Sequence, residues 1–283
     1  MNGKKLLLFQ RLKLAYIVSL VLLSFPTYSP TVWAQLTDSA NKPFFDTPIS
    51  STRPNFPDNG IPTGRRKGGT SRDACSVLSM PVTAIVPGEE TFSSVQKGTL
   101  LQTQTISSKS FLALTVSEYP TFWFYIPNLP PNLHSAEFVL LNEIEDDIYR
   151  IRLTLPEKPG FISISLPQQQ KFSLDVNKNY HWYLKVYCSD LRKTSGYFYI
   201  DGLVQRVALT HELESQLKAV KSREYIAYIA NNIWYDAITN LASLRSTNLQ
   251  NDILQKDWAN LLKSVGLQDI AEEPIVHYYK AEE

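Results

Sequence analysis

Tyr180-His181-Trp182-Tyr183-Leu184-Lys185-Val186-Tyr187-Cys188 is the stretch on which the reading of the fold turns. Successive side chains of a strand point to opposite faces. Tyr180, Trp182, Leu184, Val186 and Cys188 therefore share one face, and His181, Tyr183, Lys185 and Tyr187 the other. The first set has the character of a core face. The second is aromatic and polar, and needs either a cover or a purpose.

Just upstream, Leu174 stands six residues before Tyr180, across Asp175-Val176-Asn177-Lys178-Asn179. This Leu-x5-Tyr spacing, leading into an alternating strand, resembles the tyrosine corner of immunoglobulin-like and fibronectin III-like sandwiches, with Tyr180 as its structural tyrosine. The surrounding chain agrees with a β reading. Candidate strands are Val82–Val86, Phe111–Val116, Thr121–Ile126, Ala136–Leu141, Ile148–Leu155, Phe161–Leu166, Tyr180–Cys188 and Tyr197–Val207, rich in Val, Ile, Tyr, Phe and Thr. Pro87-Gly88, Asn128-Leu129-Pro130-Pro131, Pro159-Gly160, Asn177-Lys178-Asn179 and Ser195-Gly196 supply turn chemistry between them. With no room for crossover helices, an antiparallel β-sandwich over 75–209 is expected. Phe122-Trp123-Phe124-Tyr125-Ile126 does not alternate and reads as a central strand covered on both faces. Ile148-Tyr149-Arg150-Ile151-Arg152-Leu153 alternates and reads as peripheral.

The pattern changes at Thr210, a suitable N-cap followed by Glu212 and Glu214 in a first helical turn. Ile226, Ile229, Ala230, Ile233, Trp234, Ala237, Ile238 and Leu241 follow one helical face, and Leu254, Trp258, Leu261, Leu262 and Val265 another, stopped by Gly266. About three helices over 210–275 are expected to cap the sandwich, with 276–283 as a tail. Their most economical position is over His181, Tyr183, Tyr187, Tyr197 and Tyr199, because exposed aromatic patches of that size are unusual. The alternative is an open aromatic platform for sugar rings or peptide.

The chain begins with an address label. Lys4, Lys5, Arg11 and Lys13 precede an uncharged apolar run, Leu14 to Phe25, and Val32-Trp33-Ala34 offers a cleavage site before Gln35. Residues 1–34 read as a signal peptide whose apolar part is shorter than the length needed to span a bilayer; an uncleaved anchor is the alternative. No later segment is long and apolar enough to do so, and no membrane span is expected after cleavage. Cleavage removes four basic groups and leaves 24 basic against 27 acidic side chains. Nucleic acid, which favours a basic surface, is not an expected partner. In an exported chain of 283 residues with two cysteines, Cys75 and Cys188 are expected to pair. Two buried thiols are the alternative.

Residues 35–74 read as a linker, with Pro43, Pro48, Pro54, Pro57 and Pro62 among polar residues. Its basic end, Gly64-Arg65-Arg66-Lys67-Gly68-Gly69-Thr70-Ser71-Arg72, is a candidate contact for an anion or partner through Arg65, Arg66, Lys67 and Arg72. A solvated basic turn leading into the first strand is the preferred reading, and the stretch lacks the Lys-Ser/Thr spacing of a phosphate loop.

No local motif carries catalysis. The histidines His134, His181, His211 and His277 stand apart, and neither H-E-x-x-H nor G-x-S-x-G occurs. Glu143, Glu145, Asp146 and Asp147 crowd one turn, but their spacing matches no calcium loop. No metal, cofactor or catalytic residue is assigned.

Several runs in order resemble a cyanobacterial family known as domain of unknown function 928. They are Gly64-Arg65-Arg66-x-Gly68-Gly69-Thr70 leading to Cys75, Val82 to Pro87, and Glu118-Tyr119-Pro120-Thr121-Phe122-Trp123-Phe124-Tyr125-Ile126-Pro127. Tyr180-x-Trp182-Tyr183 with Cys188, Asp201-Gly202-x-x-Gln205-Arg206-Val207, Ile233-Trp234-Tyr235-Asp236-Ala237 and Leu261 to Leu267 continue the likeness. The stretch from Glu90 to Leu114 is longer and richer in Ser and Thr than the family's connection there. The resemblance implies export into a cyanobacterial envelope and no particular activity. The expectation is a non-enzymatic binding or structural module, periplasmic or extracellular, whose partner is an envelope protein or cell-wall polymer. The alternatives are an envelope hydrolase, with Glu118 or Asp201 converging near His181, and a small-ligand sensing domain.

Overall fold

The alternation of the Tyr180 strand is realised residue by residue: Tyr180, Trp182, Leu184 and Val186 are buried, while His181, Tyr183, Lys185 and Tyr187 are half-buried. The computed structural model describes residues 64–69, 78–96, 102–131, 133–188 and 196–279. The signal segment, most of the linker, Arg72 and Cys75 lie outside the described residues.

The described chain is mainly β, with three sheets and four α-helices towards its C-terminal end. The strands are β1 (Gly64–Arg65), β2 (Lys67–Gly68), β3 (Val82–Ala84), β4 (Gly88–Gln96), β5 (Gln102–Ser110), β6 (Ala113–Thr115) and β7 (Thr121–Ile126). They continue as β8 (Ser135–Leu141), β9 (Asp147–Thr154), β10 (Gly160–Ser165), β11 (Asn179–Tyr187), β12 (Tyr197–Arg206) and β13 (Ile275–Tyr279). One five-stranded sheet runs β13-β10-β7-β3-β2 and a second β6-β12-β11-β8-β9; a three-stranded sheet runs β1-β5-β4.

The two five-stranded sheets meet through large rings. Phe122 and Phe124 of β7 lie 4.9 and 6.2 Å from Phe138 of β8, and Phe124 lies 5.5 Å from Trp182 of β11. Offset and edge-on ring packing of this kind adds to the hydrophobic term that drives burial. β7 is the middle strand of its sheet, and its other face is covered too: Trp123 packs on Trp258 and donates its indole N–H to Thr239 Oγ1 at 3.0 Å. β9 is an edge strand with Arg150 and Arg152 exposed, in keeping with its alternation.

The helices are α1 (His211–Val220), α2 (Glu224–Ala230), α3 (Trp234–Thr247) and α4 (Asp252–Ser264). Thr210 caps α1 by accepting the Leu213 N–H at 3.2 Å. Past α4, Gly266 takes a φ of 73°, the left-handed backbone that glycine adopts most easily. Trp234 of α3 donates to Ile85 O at 2.7 Å, and Trp258 of α4 packs 5.1 Å from Phe161 of β10. These helices therefore cover the β13-β10-β7-β3-β2 sheet.

Four expectations need correction. The continuous helix through Ile226 and Leu241 is two helices, because Asn232 takes a φ of 60° and the Asn231 amide bonds back to Ala227 O at 2.8 Å. Asparagine tolerates that backbone, so the apolar period survives while the axis breaks. The sheets are not purely antiparallel, since β13 pairs parallel with β10 and β6 parallel with β12. Only tight hairpins force antiparallel pairing, and both of these partners are reached through other elements. The Ser/Thr-rich stretch after Pro87 contains the hairpin of β4 and β5, leaving β6 only three residues. Finally, among the described residues no helix residue lines the groove over the outward face of β11 and β12, so the aromatic side chains there are not roofed by the four helices.

Candidate functional site

The uncovered face is built by period-2 geometry on two paired strands. Tyr187 lies opposite Tyr197, Lys185 opposite Tyr199, and Tyr183 opposite Asp201, so β11 and β12 project one set of outward side chains. The rings form an unbroken strip: Tyr187 to Tyr197 at 5.8 Å, Tyr197 to Tyr199 at 6.4 Å, and Tyr199 to Tyr183 at 5.9 Å between centroids. Tyr197 is 51% exposed, far above a core tyrosine. An open groove of about 420 Å³ runs over Tyr183, Lys185, Tyr197 and Tyr199 to a rim of Glu145, Asp147 and Arg150.

The strip is held from below and beside. His181 Nε2 lies 2.7 Å from Asp201 Oδ2; a carboxylate only accepts, so Nε2 carries the proton. The other nitrogen, Nδ1, lies 3.0 Å from the Tyr183 hydroxyl, which donates to it in the neutral ring. The imidazole also lies 4.2 Å from the Tyr183 ring. Asp201 Oδ1 accepts the Arg65 backbone N–H at 2.8 Å, and the Arg65 guanidinium sits 4.8 Å over the Tyr199 ring. The Lys185 ammonium lies 5.9 Å from the Tyr183 centroid and 5.7 Å from that of Tyr197.

Burial and nearby carboxylates favour the protonated hydroxyl at Tyr183 and Tyr187. Burial raises the Tyr183 pKa above its ordinary value, and the negative charge of Asp201 adds to the effect. Burial and Glu137, which accepts the Tyr187 hydroxyl at 3.3 Å, do the same for Tyr187. The face offers ring surfaces and hydroxyl donors, not an activated phenolate.

The structure separates the basic stretch into different environments. Arg65 is exposed and joins the tyrosine face. Arg66 is 1% exposed, with Nη1 donating to Val265 O at 2.7 Å and Nη2 paired to Glu90 at 3.1 Å. Lys67 pairs with the same Glu90 at 2.5 Å, and Arg72 is outside the described residues. Tyr180 Oη accepts the Asp175 N–H at 2.9 Å beside fully buried Leu174. Cys188 directly follows β11, half-buried against the core.

Of the two carboxylates proposed to converge on His181, Asp201 does so, whereas Glu118 pairs with Arg206 at 2.9 Å. His134 faces Leu155 O, His211 is exposed at the start of α1, and His277 is exposed on β13. The crowded turn uses its acids locally: Glu143 accepts the Asn179 N–H at 3.1 Å and Asp147 pairs with Arg150 at 2.8 Å. Among the described residues, no three His, Cys, Asp or Glu side chains are placed to hold a metal ion, and no helix is long and apolar enough to cross a membrane. The link of Arg65 to Tyr199 had no sequence signal, since the two stand far apart in the chain.

No curated protein matches the chain. Among solved structures, one similar chain is the apo structure of Bacteroides uniformis beta-glucuronidase 3, at 8% identity and a TM-score of 0.24. The likeness covers 70% of this chain and 28% of that one. A family model described as Domain of Unknown Function (DUF928) matches residues 67–275, from β2 through the helices to the start of β13. That match spans most of the sequence, and the protein belongs to the DUF928 family.

Proposed function

We propose that the protein is an exported, non-enzymatic binding module of the cell envelope, and that its tyrosine face holds a polysaccharide of the wall. The observation that carries this reading is the solvent-facing strip of Tyr183, Tyr199, Tyr197 and Tyr187. Flat rings stack on the apolar faces of sugars, and hydroxyls and cations at their edges address sugar hydroxyls and carboxylates. The Asp201–His181–Tyr183 chain supports binding by locking one ring before any ligand arrives, which lowers the ordering cost of association. Export belongs to the proposal and rests on residues 1–34. The Cys75–Cys188 bridge and the immunoglobulin-like classification are its architectural part, supported by the place of Cys188 and the Tyr180 contact.

A hydrolase is the second reading, favoured by the 2.7 Å approach of Asp201 to His181. The raised Tyr183 pKa weighs against it, because the group that His181 contacts is a poor nucleophile. One experiment addresses both. Residues 35–283 are sedimented with insoluble envelope polysaccharide, and the supernatant is assayed for new reducing ends. Wild type is expected in the pellet without sugar release. Tyr183→Ala/Tyr197→Ala is expected to bind about 10- to 100-fold more weakly, at roughly 0.5–1.5 kcal/mol per ring. Equal binding by both forms removes the tyrosine face as the contact, and sugar release lost in His181→Ala replaces binding with hydrolysis.

A further inference from the structure

A second cavity has the chemistry of a ligand site. It measures about 340 Å³ and lies between α2, α3 and the segment from β6 to the start of β7. That volume falls at the lower end of the range of roughly 300–1,000 Å³ typical of small-molecule sites. Its walls include Tyr119, Glu224, Tyr228, Asp236, Asn240 and Ser243, and among the described residues no lysine or arginine lines it. None of these residues belongs to the tyrosine face.

The two carboxylates play different parts. Asp236 is committed to the fold: its Oδ2 accepts the Thr115 hydroxyl at 2.7 Å and the Val116 N–H at 3.1 Å. Burial raises its pKa despite those bonds. Glu224 is only half-buried and uses one oxygen, Oε2, for a long 3.3 Å bond from the Asn240 amide. Its other oxygen has no hydrogen-bond or ion-pair partner among the described residues. Neighbouring Arg223 does not neutralise it, being turned to buried Asp257 at 2.5 Å. The Tyr228 hydroxyl also lacks a partner among the described residues, and burial followed by the charges of Asp236 and Glu224 pushes its pKa up to about 12. Among the described residues, the cavity thus presents a carboxylate oxygen without a partner, an aromatic face and hydroxyls, with no lysine or arginine in its walls.

We propose that this cavity binds a small protonated amine carrying hydroxyl groups, of the amino-sugar or amino-alcohol class. The ammonium pairs with Glu224 and lies against the Tyr228 ring, where ion pairing and cation–π attraction act together. The ligand's hydroxyls meet Tyr228, Ser243 and Tyr119. Site and ligand class are independent of the wall-binding proposal, since the two surfaces share no residue.

The test is calorimetric titration of residues 35–283 at neutral pH with glucosamine, ethanolamine, glucose and N-acetylglucosamine. At least one amine is expected to bind about tenfold or more tightly than both neutral sugars. Glu224→Gln should abolish that preference. Ser243 is exposed on α3, so Ser243→Trp can fill the cavity mouth without entering the core, and should remove binding while the melting temperature stays unchanged. Failure of both amines to bind, equal binding of glucose, or amine binding that survives both substitutions would overturn the proposal.

Discussion

Replacing Arg66 with alanine is expected to destabilise the protein by about 3–4 kcal/mol, a large share of the roughly 5–15 kcal/mol that holds a domain folded. Its guanidinium is inside the protein, where it ties β1 and β2 to the end of α4 through Val265 O, 199 residues away in sequence. Hydrogen bonds from a charged donor contribute about 1.5–3 kcal/mol each, and the carbonyls left behind are desolvated. Glu90 keeps Lys67 as a partner, which limits the loss on that side. Arg65→Ala, one residue earlier on an exposed position, loses only the exposed contact with the Tyr199 ring and should cost no more than about 1 kcal/mol. Urea titrations of both variants make the comparison. Similar small effects in the two would show that Arg66 is not the internal tie described.

The same substitution has a pH signature. Burial alone would raise the Glu90 pKa, but the bond and charge of Lys67 and the nearby Arg66 more than offset it, leaving it below 4.5. A carboxylate lowered in the folded state contributes stability above its unfolded value, and loses it as pH falls through the folded value. The gap between wild type and Arg66→Ala should therefore be widest near neutral pH and narrow as pH drops below about 4.5. A gap independent of pH from 7 to about 3 would remove Glu90 from the account.

The second large effect is expected at Trp182, where alanine should cost about 3–5 kcal/mol through lost burial and the cavity left behind. Trp182 is 1% exposed, packs on Phe124, and donates its indole N–H to the Tyr235 hydroxyl at 2.8 Å. This links β11 to α3 across the edge of the core. Collapse around the gap is limited on the β12 side, where Gly202 is the paired residue. A Cβ there would come within 2.4 Å of the Trp182 ring, so only glycine lets the indole lie so close to the backbone. Trp182→Phe should retain most of the packing and lose roughly 1 kcal/mol for the hydrogen bond. Denaturation midpoints with unchanged m-values would report the two losses directly, and an alanine penalty below about 1 kcal/mol would contradict the core described.

Much of this architecture is legible in the residues. The period-2 alternation from Tyr180 to Cys188 separates a core face from an outward face. The unbroken apolar run from Phe122 to Ile126 places β7 at the centre, and the alternation of Ile148 to Leu153 places β9 at an edge. Thr210 and Gly266 announce a helix start and a helix stop. Each of these signals is local, because a strand or a cap is governed by neighbouring residues. What the tertiary structure alone decided is which layer covers which face. Alternation says that Tyr183, Lys185 and Tyr187 point together, but not whether a helix lies over them, and tyrosine suits both a covered and a wet position. The same limit separates Arg65 from Arg66, adjacent cations of which one is on the surface and one in the core. It also hides the bond of the Arg65 amide to Asp201, which depends on β1 lying against β12. Nor does the sequence choose between Asp201 and Glu118 as the carboxylate beside His181, which strand register decides. Faces follow from backbone periodicity, whereas their neighbours follow from the packing of elements distant in the chain.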